Sequence, residues 1–122
     1  MRSMIPALAL FSTLLLFAST ARADDVGAVG TIAGLQVNTT SGDAYLQYHG
    51  RLFVKVAGGG LDEYRWGGTS CGSRVLTEAQ VATLQQVLGN KRMRIQPRSQ
   101  SGQGSTVCLV GFTLVPKPDL SL

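Results

Sequence analysis

The side chains of this chain that could perform acid–base chemistry are few and widely spaced. His49 is the only histidine, and the seven carboxylates fall at predicted turns, at chain ends or at the start of a predicted helix. General acid–base catalysis needs titratable groups held together in a cleft, and metal sites need several ligands at suitable spacing. We therefore expect a protein that is not an enzyme and that uses neither a cofactor nor a metal.

One predicted strand carries side chains that are better suited to binding than to catalysis. Residues 45–56 alternate, and aromatic, amide and guanidinium groups share one face. OB-folds use such groups to stack bases or sugars and to hydrogen-bond them. The alternative is a face covered by the neighbouring strand or by another subunit. The candidate ligand-binding residues are Tyr45, Gln47, His49, Arg51 and Phe53.

A basic stripe follows the predicted helix and is the second candidate surface. Its charges could attract phosphates, anionic glycans or lipopolysaccharide. The alternative is a solvated strand face whose charge discourages edge pairing. The stripe consists of Lys91, Arg92, Arg94 and Arg98.

The first 23 residues predict a secretory signal peptide. A basic start precedes an apolar run, and Ala21-Arg22-Ala23 is a small-x-small cleavage site. A lone N-terminal anchor helix is the alternative. Cleavage would leave residues 24–122, with no membrane-spanning segment, in the periplasm or outside the cell. It would also reduce the net charge from +4 to +2, and together with export this makes nucleic acid a poor partner.

Export determines how the two cysteines are interpreted. In an oxidising compartment cysteine pairs persist, so Cys71 and Cys108 are expected to form a disulfide. Both are predicted to lie at strand ends that face one core. Two free thiols or a metal-binding pair are the alternatives.

Three strands are predicted before Cys71. The first covers residues 31–38, the second is residues 45–56 with Gly50 at a bulge or a sharp coil, and the third contains Tyr64 and Trp66 on one face. Alternation in the first strand would place on one face Ala33, Leu35 and Val37.

A helix is predicted after Cys71. Thr77 and Gln80 match a capping box, and Gly89 is placed to end the helix in the left-handed conformation. The spacing i, i+3, i+7 predicts an apolar face made of Val81, Leu84 and Leu88.

The C-terminal part predicts two further strands, residues 92–98 and 107–115, separated by a polar loop at 99–105. Residues 116–122 are expected to be a frayed tail. The order β-β-β-α-β-β, mainly β with one helix, predicts an OB-fold-like five-stranded barrel as one domain over 24–122. An open antiparallel sheet with one helix packed on it is the alternative.

The C-terminal half also resembles a known group. The segment SCGSRVLTEAQVATLQQVLGNKRMRIQP, followed by CLVGFTLV, is similar to the helix–strand–strand half of small secreted bacterial OB-fold proteins, which include the B subunits of subtilase- and pertussis-like AB toxins. The shared features are a helix ending at Gly89 before Lys91, the alternating Met93 and Ile95, and a closing strand with Val110-Gly111. The resemblance implies the fold and, for the toxins, a homopentamer that binds cell-surface glycans. None of the toxins' sugar-binding residues has a matching motif here.

We therefore expect an exported, non-enzymatic binding module that holds a glycan or an anionic ligand on an OB-like strand face. The alternative is a structural protomer of a homo-oligomer or a periplasmic protein-interaction domain, whose partner would be another protein or another copy of this chain.

Overall fold

A computed structural model describes residues 23–88 and 90–117. The predicted signal peptide, apart from Ala23, lies outside the described residues, as do Gly89 and most of the predicted tail. The strands are β1 (Asp25–Val26), β2 (Gly30–Val37), β3 (Gly50–Val56), β4 (Leu61–Trp66), β5 (Met93–Ser101) and β6 (Val107–Pro116). The helices are α1 (Gly68–Cys71) and α2 (Glu78–Val87).

Five of the strands close into a barrel. Strands β2, β3 and β4 form an antiparallel meander, β4 pairs with β6 in parallel, β6 pairs with β5, and β5 returns to β2 at Gly30↔Ile95. The predicted OB-fold-like barrel is confirmed, and the open sheet is excluded because the pairing returns to its first strand. The short strand β1 adds to the edge of β5.

The core fills the barrel and the space beneath α2. Helix α2 begins with the predicted capping box: the Thr77 amide donates to Gln80 Oε1 at 2.8 Å, and the Gln80 amide donates to Thr77 Oγ1 at 3.1 Å. Leu84 is fully buried as expected, but Val87 is the second buried residue of the helix and Leu88 is 42% exposed. The central cluster consists of Leu52, Val54, Tyr64, Trp66, Leu84, Ile95 and Leu109.

The inward face of β2 differs from the predicted alternation. The pairing of β2 with β3 shifts register between Ile32 and Gly34, and an extra residue at such a bulge reverses the alternation. Ile32 and Leu35 consequently pack against the core, while Val37 is 47% exposed.

Gly50 is not a mid-strand bulge, because it is the first residue of β3. It lies beneath the ring of Trp66, and a Cβ at this position would overlap the indole. The glycine is required for close packing rather than for strand curvature.

The predicted disulfide between Cys71 and Cys108 is confirmed, with Cα atoms 5.8 Å apart and both residues buried. Cys108 lies near the start of β6, but Cys71 ends helix α1 rather than a strand. The chain enters α1 through Gly67 and Gly68, whose φ angles of 74° and 67° favour glycine.

The C-terminal strands are longer than predicted. Strand β5 continues to Ser101, which leaves a loop of only residues 102–106. Strand β6 includes Pro116, which pairs with Met93, and the Lys117 amide donates to the Arg92 carbonyl at 2.9 Å. Pro116 and Lys117 are therefore held in place, and the rest of the predicted tail lies outside the described residues. None of the helices described could span a membrane.

Candidate functional site

The five residues of the predicted ligand-binding face do not lie on one strand. Tyr45 and Gln47 belong to a turn in which the Ala44 carbonyl accepts bonds from the amides of Gln47 and Tyr48, both at 3.0 Å. The amides of α1 fix this turn from the other side, since Ser70 donates to the Gln47 carbonyl at 2.9 Å. These bonds compete with strand pairing, so β3 begins only at Gly50.

Tyr45 and His49 form a separate aromatic pair. Their rings stack with centroids 4.2 Å apart and an interplanar angle of 11°. They lie beside α2 and line an open groove of about 270 Å³ together with Leu76 and Gln85. Gln47 is exposed. Only Arg51 and Phe53 of the predicted set lie on the outer face of β3.

Arg51 and Phe53 are part of a polar network that crosses three strands. The register places Arg51 opposite Gln36 of β2 and opposite Arg65 of β4, in one row across the sheet. Two directly opposed arginines repel each other. Glu63, two residues before Arg65, relieves this repulsion because it accepts a hydrogen bond from each arginine.

The distances show how tightly this carboxylate holds the two guanidinium groups. Arg65 Nε donates to Glu63 Oε2 at 2.7 Å, and Arg51 Nη1 donates to the same oxygen at 3.2 Å. Arg51 Nε also donates to Gln36 Oε1 at 2.9 Å. We call this set the Glu63 network, and it consists of Gln36, Tyr48, Arg51, Phe53, Glu63 and Arg65.

Each guanidinium group also lies close to an aromatic ring. The Arg65 guanidinium lies 4.3 Å from the centroid of the Tyr48 ring, and that of Arg51 lies 5.0 Å from the Phe53 ring. Both distances are within the range of cation–π attraction. Tyr48 is buried, and its hydroxyl accepts from Gln36 Nε2 at 3.1 Å. The arginines are therefore held in a fixed orientation before any ligand arrives.

The electrostatics of the Glu63 network favour an anion or a hydroxyl as ligand. Burial acts to raise the pKa of Glu63, but hydrogen bonds and attraction from Arg65 and Arg51 outweigh burial and hold the pKa below its ordinary value of 4.5. One ionised carboxylate thus faces two cations, which leaves an excess positive charge. Arg65 uses only Nε toward the residues described, so its terminal N–H groups remain as donors.

An open pocket of about 250 Å³ lies beside Arg65 and Glu63. The loop between β5 and β6 also lines it, where Ser105 and Thr106 supply hydroxyl groups, and Val107 at the start of β6 supplies an apolar contact. A small polar ligand could reach Arg65, Glu63 and these hydroxyls together.

A larger cavity, of about 710 Å³, opens on the other side of the same loop. Its walls are small or polar residues of α1 and β5, and its one arginine, Arg74, already donates to Gln100 Oε1 at 2.9 Å and to the Cys71 carbonyl at 3.3 Å. The cavity therefore offers hydroxyls and amides but fewer free cationic donors than the Glu63 network.

The predicted basic stripe is also divided. Arg94 and Arg98 share the outer face of β5, whereas Lys91 and Arg92 lie in the turn before it. Arg98 turns toward β6, where its Nη1 donates to Thr113 Oγ1 at 2.7 Å. Arg94 instead lies near Lys91 and two lysines that the sequence did not single out, Lys55 and Lys117.

The sequence also missed Glu63, Arg65, Gln36 and Tyr48 as site residues. A usable signal was present for Arg65, because it alternates with the apolar Tyr64 and Trp66 and so must face outward. Its position opposite Arg51 depends on the hairpin register, which a turn of three glycines does not specify.

Comparisons with protein-family models, with curated proteins and with solved structures found no match.

Proposed function

We propose that this protein is an exported, non-enzymatic binding module that recognises an acidic carbohydrate on the outer face of β3 and β4. The single observation that supports this function most strongly is the row formed by Gln36, Arg51 and Arg65, held in place by Glu63. Gln36 uses its amide group on Asn38, Tyr48 and Arg51 and so serves to position Arg51. The two oriented guanidinium groups, with their excess positive charge, suit a ligand that carries both a carboxylate and hydroxyl groups.

Each part of the site has a role in this proposal. The terminal N–H groups of Arg65 bind the carboxylate of the sugar, since a guanidinium matches a carboxylate in two-point geometry. Ser105 and Thr106 hydrogen-bond the hydroxyls. Phe53, which is half-buried, offers the edge of an aromatic surface to the apolar face of the ring.

The fold supports the same location. OB-folds bind oligosaccharides and oligonucleotides on the face of their second and third strands and on the flanking loops. In this barrel those strands are β3 and β4, and the flanking loops are residues 38–49 and 102–106. The resemblance to secreted toxin B subunits favours a glycan over a nucleotide, but function does not follow from fold alone. The chemistry of the Glu63 network is therefore the main support.

The test is binding of the purified protein to a glycan array, followed by titration calorimetry with a sugar acid such as glucuronate and with its neutral counterpart, glucose. We expect binding of the acidic sugar only. Arg65→Ala should weaken it by tenfold or more, because a hydrogen bond to a charged group contributes about 1.5–3 kcal/mol. Arg98→Ala removes the same charge from a different strand and is the matched control.

Two outcomes would contradict the proposal. Equal binding of the acidic and neutral sugars would mean that the arginines do not contact the ligand. Equal losses in the Arg65 and Arg98 variants would mean that only overall charge matters.

A second candidate function is that of a protomer in a homo-oligomer. The observation that favours it is the exposure of large apolar side chains, including Leu46 at 79%, Val26 at 63% and Leu61 at 59%. Isolated exposed apolar residues are normal on monomers, so this candidate needs them to meet in one interface. Native mass spectrometry of the wild type and of Leu46→Ser tests it. A monomer at all concentrations would exclude an assembly role.

A further inference from the structure

Four cations from four separate parts of the chain border one groove on the side of β2 and β5. Lys55 comes from β3, Lys91 from the turn after α2, Arg94 from β5 and Lys117 from the residue after β6. They surround two adjoining hollows of about 330 and 410 Å³, which share Thr31 and Arg94. We call these four residues the basic groove.

The backbone fixes this arrangement. Thr31 pairs directly with Lys55 across β2 and β3, so both side chains point to the same face. Strand β2 meets β5 only at Gly30↔Ile95, which places Arg94 next to them. The bond from the Lys117 amide to the Arg92 carbonyl brings the last cation to the start of β5.

The cations of the basic groove have no carboxylate partner among residues 23–88 and 90–117. The ion pairs in this part of the chain both involve Glu63, and no acidic side chain lines either hollow. Glu63 offsets one of the two cations of its network, whereas no carboxylate of the described residues offsets the four cations of the basic groove. Like charges gathered in a concave surface create a positive potential that an anion from outside would relieve.

The floor between the cations is apolar, and this feature indicates which kind of anion would bind there. A free phosphate would gain nothing from a hydrocarbon surface, whereas an anionic amphiphile would use both parts. The floor consists of Val29, Ile32, Val56 and Val87.

We propose that the basic groove binds the phosphate headgroup of an anionic phospholipid, with the adjoining glycerol and upper acyl segments resting on the apolar floor. The protein would then lie on an anionic membrane surface through this side of the barrel. This inference goes beyond the proposed carbohydrate binding and does not depend on it, because the two sites share no residue.

The test is sedimentation of the purified protein with vesicles of phosphatidylcholine, with and without phosphatidylglycerol, at physiological ionic strength. We expect binding only when phosphatidylglycerol is present. Arg94→Ala should lower the partition coefficient about fivefold, which is the usual contribution of one cation beside an anionic bilayer. Arg98→Ala removes an equal charge from the same face of the same strand, four residues away, and should change little.

A second variant and a competition experiment complete the test. Lys55→Ala, at an exposed position, should also cost about fivefold, and circular dichroism checks that each variant is folded. Inorganic phosphate added at constant ionic strength should not displace the protein from vesicles. Each of three results would overturn the proposal: equal binding to both vesicle types, equal losses for Arg94→Ala and Arg98→Ala, or full displacement by phosphate, which would indicate a free-phosphate site.

Discussion

Removal of the disulfide should cost this small barrel a large part of its stability. Cys71 and Cys108 are separated by 37 positions. On the chain-entropy model, cross-linking a loop of that size lowers the entropy of the unfolded chain enough to stabilise the fold by about 4 kcal/mol at 25 °C. Domains of this kind are stable by only about 5–15 kcal/mol in total. Replacing both cysteines with alanine should therefore leave a marginal protein.

The position of the disulfide adds a local effect. Strands β4 and β6 pair at a single position, Arg65↔Cys108, so this parallel seam is short. The disulfide ties β6 to α1, whose amides in turn hold the turn at residues 44–48. Without the link, the seam that positions Arg65 should open more readily than the rest of the barrel.

Urea denaturation followed by tryptophan fluorescence measures this loss. The chain has one tryptophan, Trp66, which is 2% exposed and reports on the core. The double variant Cys71→Ala/Cys108→Ala should unfold about 4 kcal/mol more easily than the oxidised wild type, with a larger m-value because its unfolded state is less constrained. Alkylation without reductant should leave the wild-type mass unchanged. A loss below about 1 kcal/mol would refute the entropic reasoning.

Four further substitutions test the core and the Glu63 network, and one of them, Leu88→Ala, is a control. Leu84→Ala should lower the free energy of unfolding by about 2–5 kcal/mol, because the side chain is fully buried, whereas Leu88→Ala should lower it by less than about 1 kcal/mol. Urea denaturation measures both values, and similar losses would mean that the helix face is misassigned. Folding lowers the pKa of Glu63, so the ionised carboxylate stabilises the folded state. This stabilisation is complete above pH 4.5 and disappears as the pH falls through the lowered pKa. The Glu63 side chain is 35% exposed, so Glu63→Gln should lower the free energy of unfolding by only about 0.2–1 kcal/mol at neutral pH. It should also reduce the loss of stability at acid pH. An unchanged pH dependence would show that Glu63 does not stabilise the fold through its charge. Gly50→Ala should lower the free energy of unfolding by about 1–3 kcal/mol, since the added methyl group would overlap Trp66. Thermal melting measures this loss, and an unchanged stability would show that the indole can move freely.

The parts of the fold that the sequence predicted correctly depend on local signals. The capping box at Thr77 and Gln80 acts within one turn of helix, so its residues are sufficient to place the start of α2. The alternation around Tyr64 and Trp66 likewise identifies β4 without knowledge of its neighbours. The barrel itself followed from the order of the elements, because few arrangements bury the apolar faces of five short strands and of a helix between the third and fourth in one core.

The errors occur where tertiary hydrogen bonds override a local pattern. Residues 45–48 alternate like a strand, but the Ala44 carbonyl and the amides of α1 fold them into a turn. That turn separates Tyr45 and Gln47 from Arg51, and so it divides the predicted binding face. The bulge next to Ala33 had a comparable effect on β2, since a shift in register leaves no trace in the composition of one strand.

Net charge was a poor guide to the binding surfaces because it averages over the molecule. A predicted exported chain of net charge +2 gives little reason to expect electrostatic binding, yet the described carboxylates are distributed unevenly. Glu63 offsets one of the two cations of the β3–β4 face, while the basic groove has no such partner among the residues described. Oriented donors at short range should make sugar binding at Arg65 only weakly dependent on salt. Vesicle binding through Arg94 and Lys55 should instead fall steeply as salt rises, because exposed charges are screened beyond about 8 Å at physiological ionic strength.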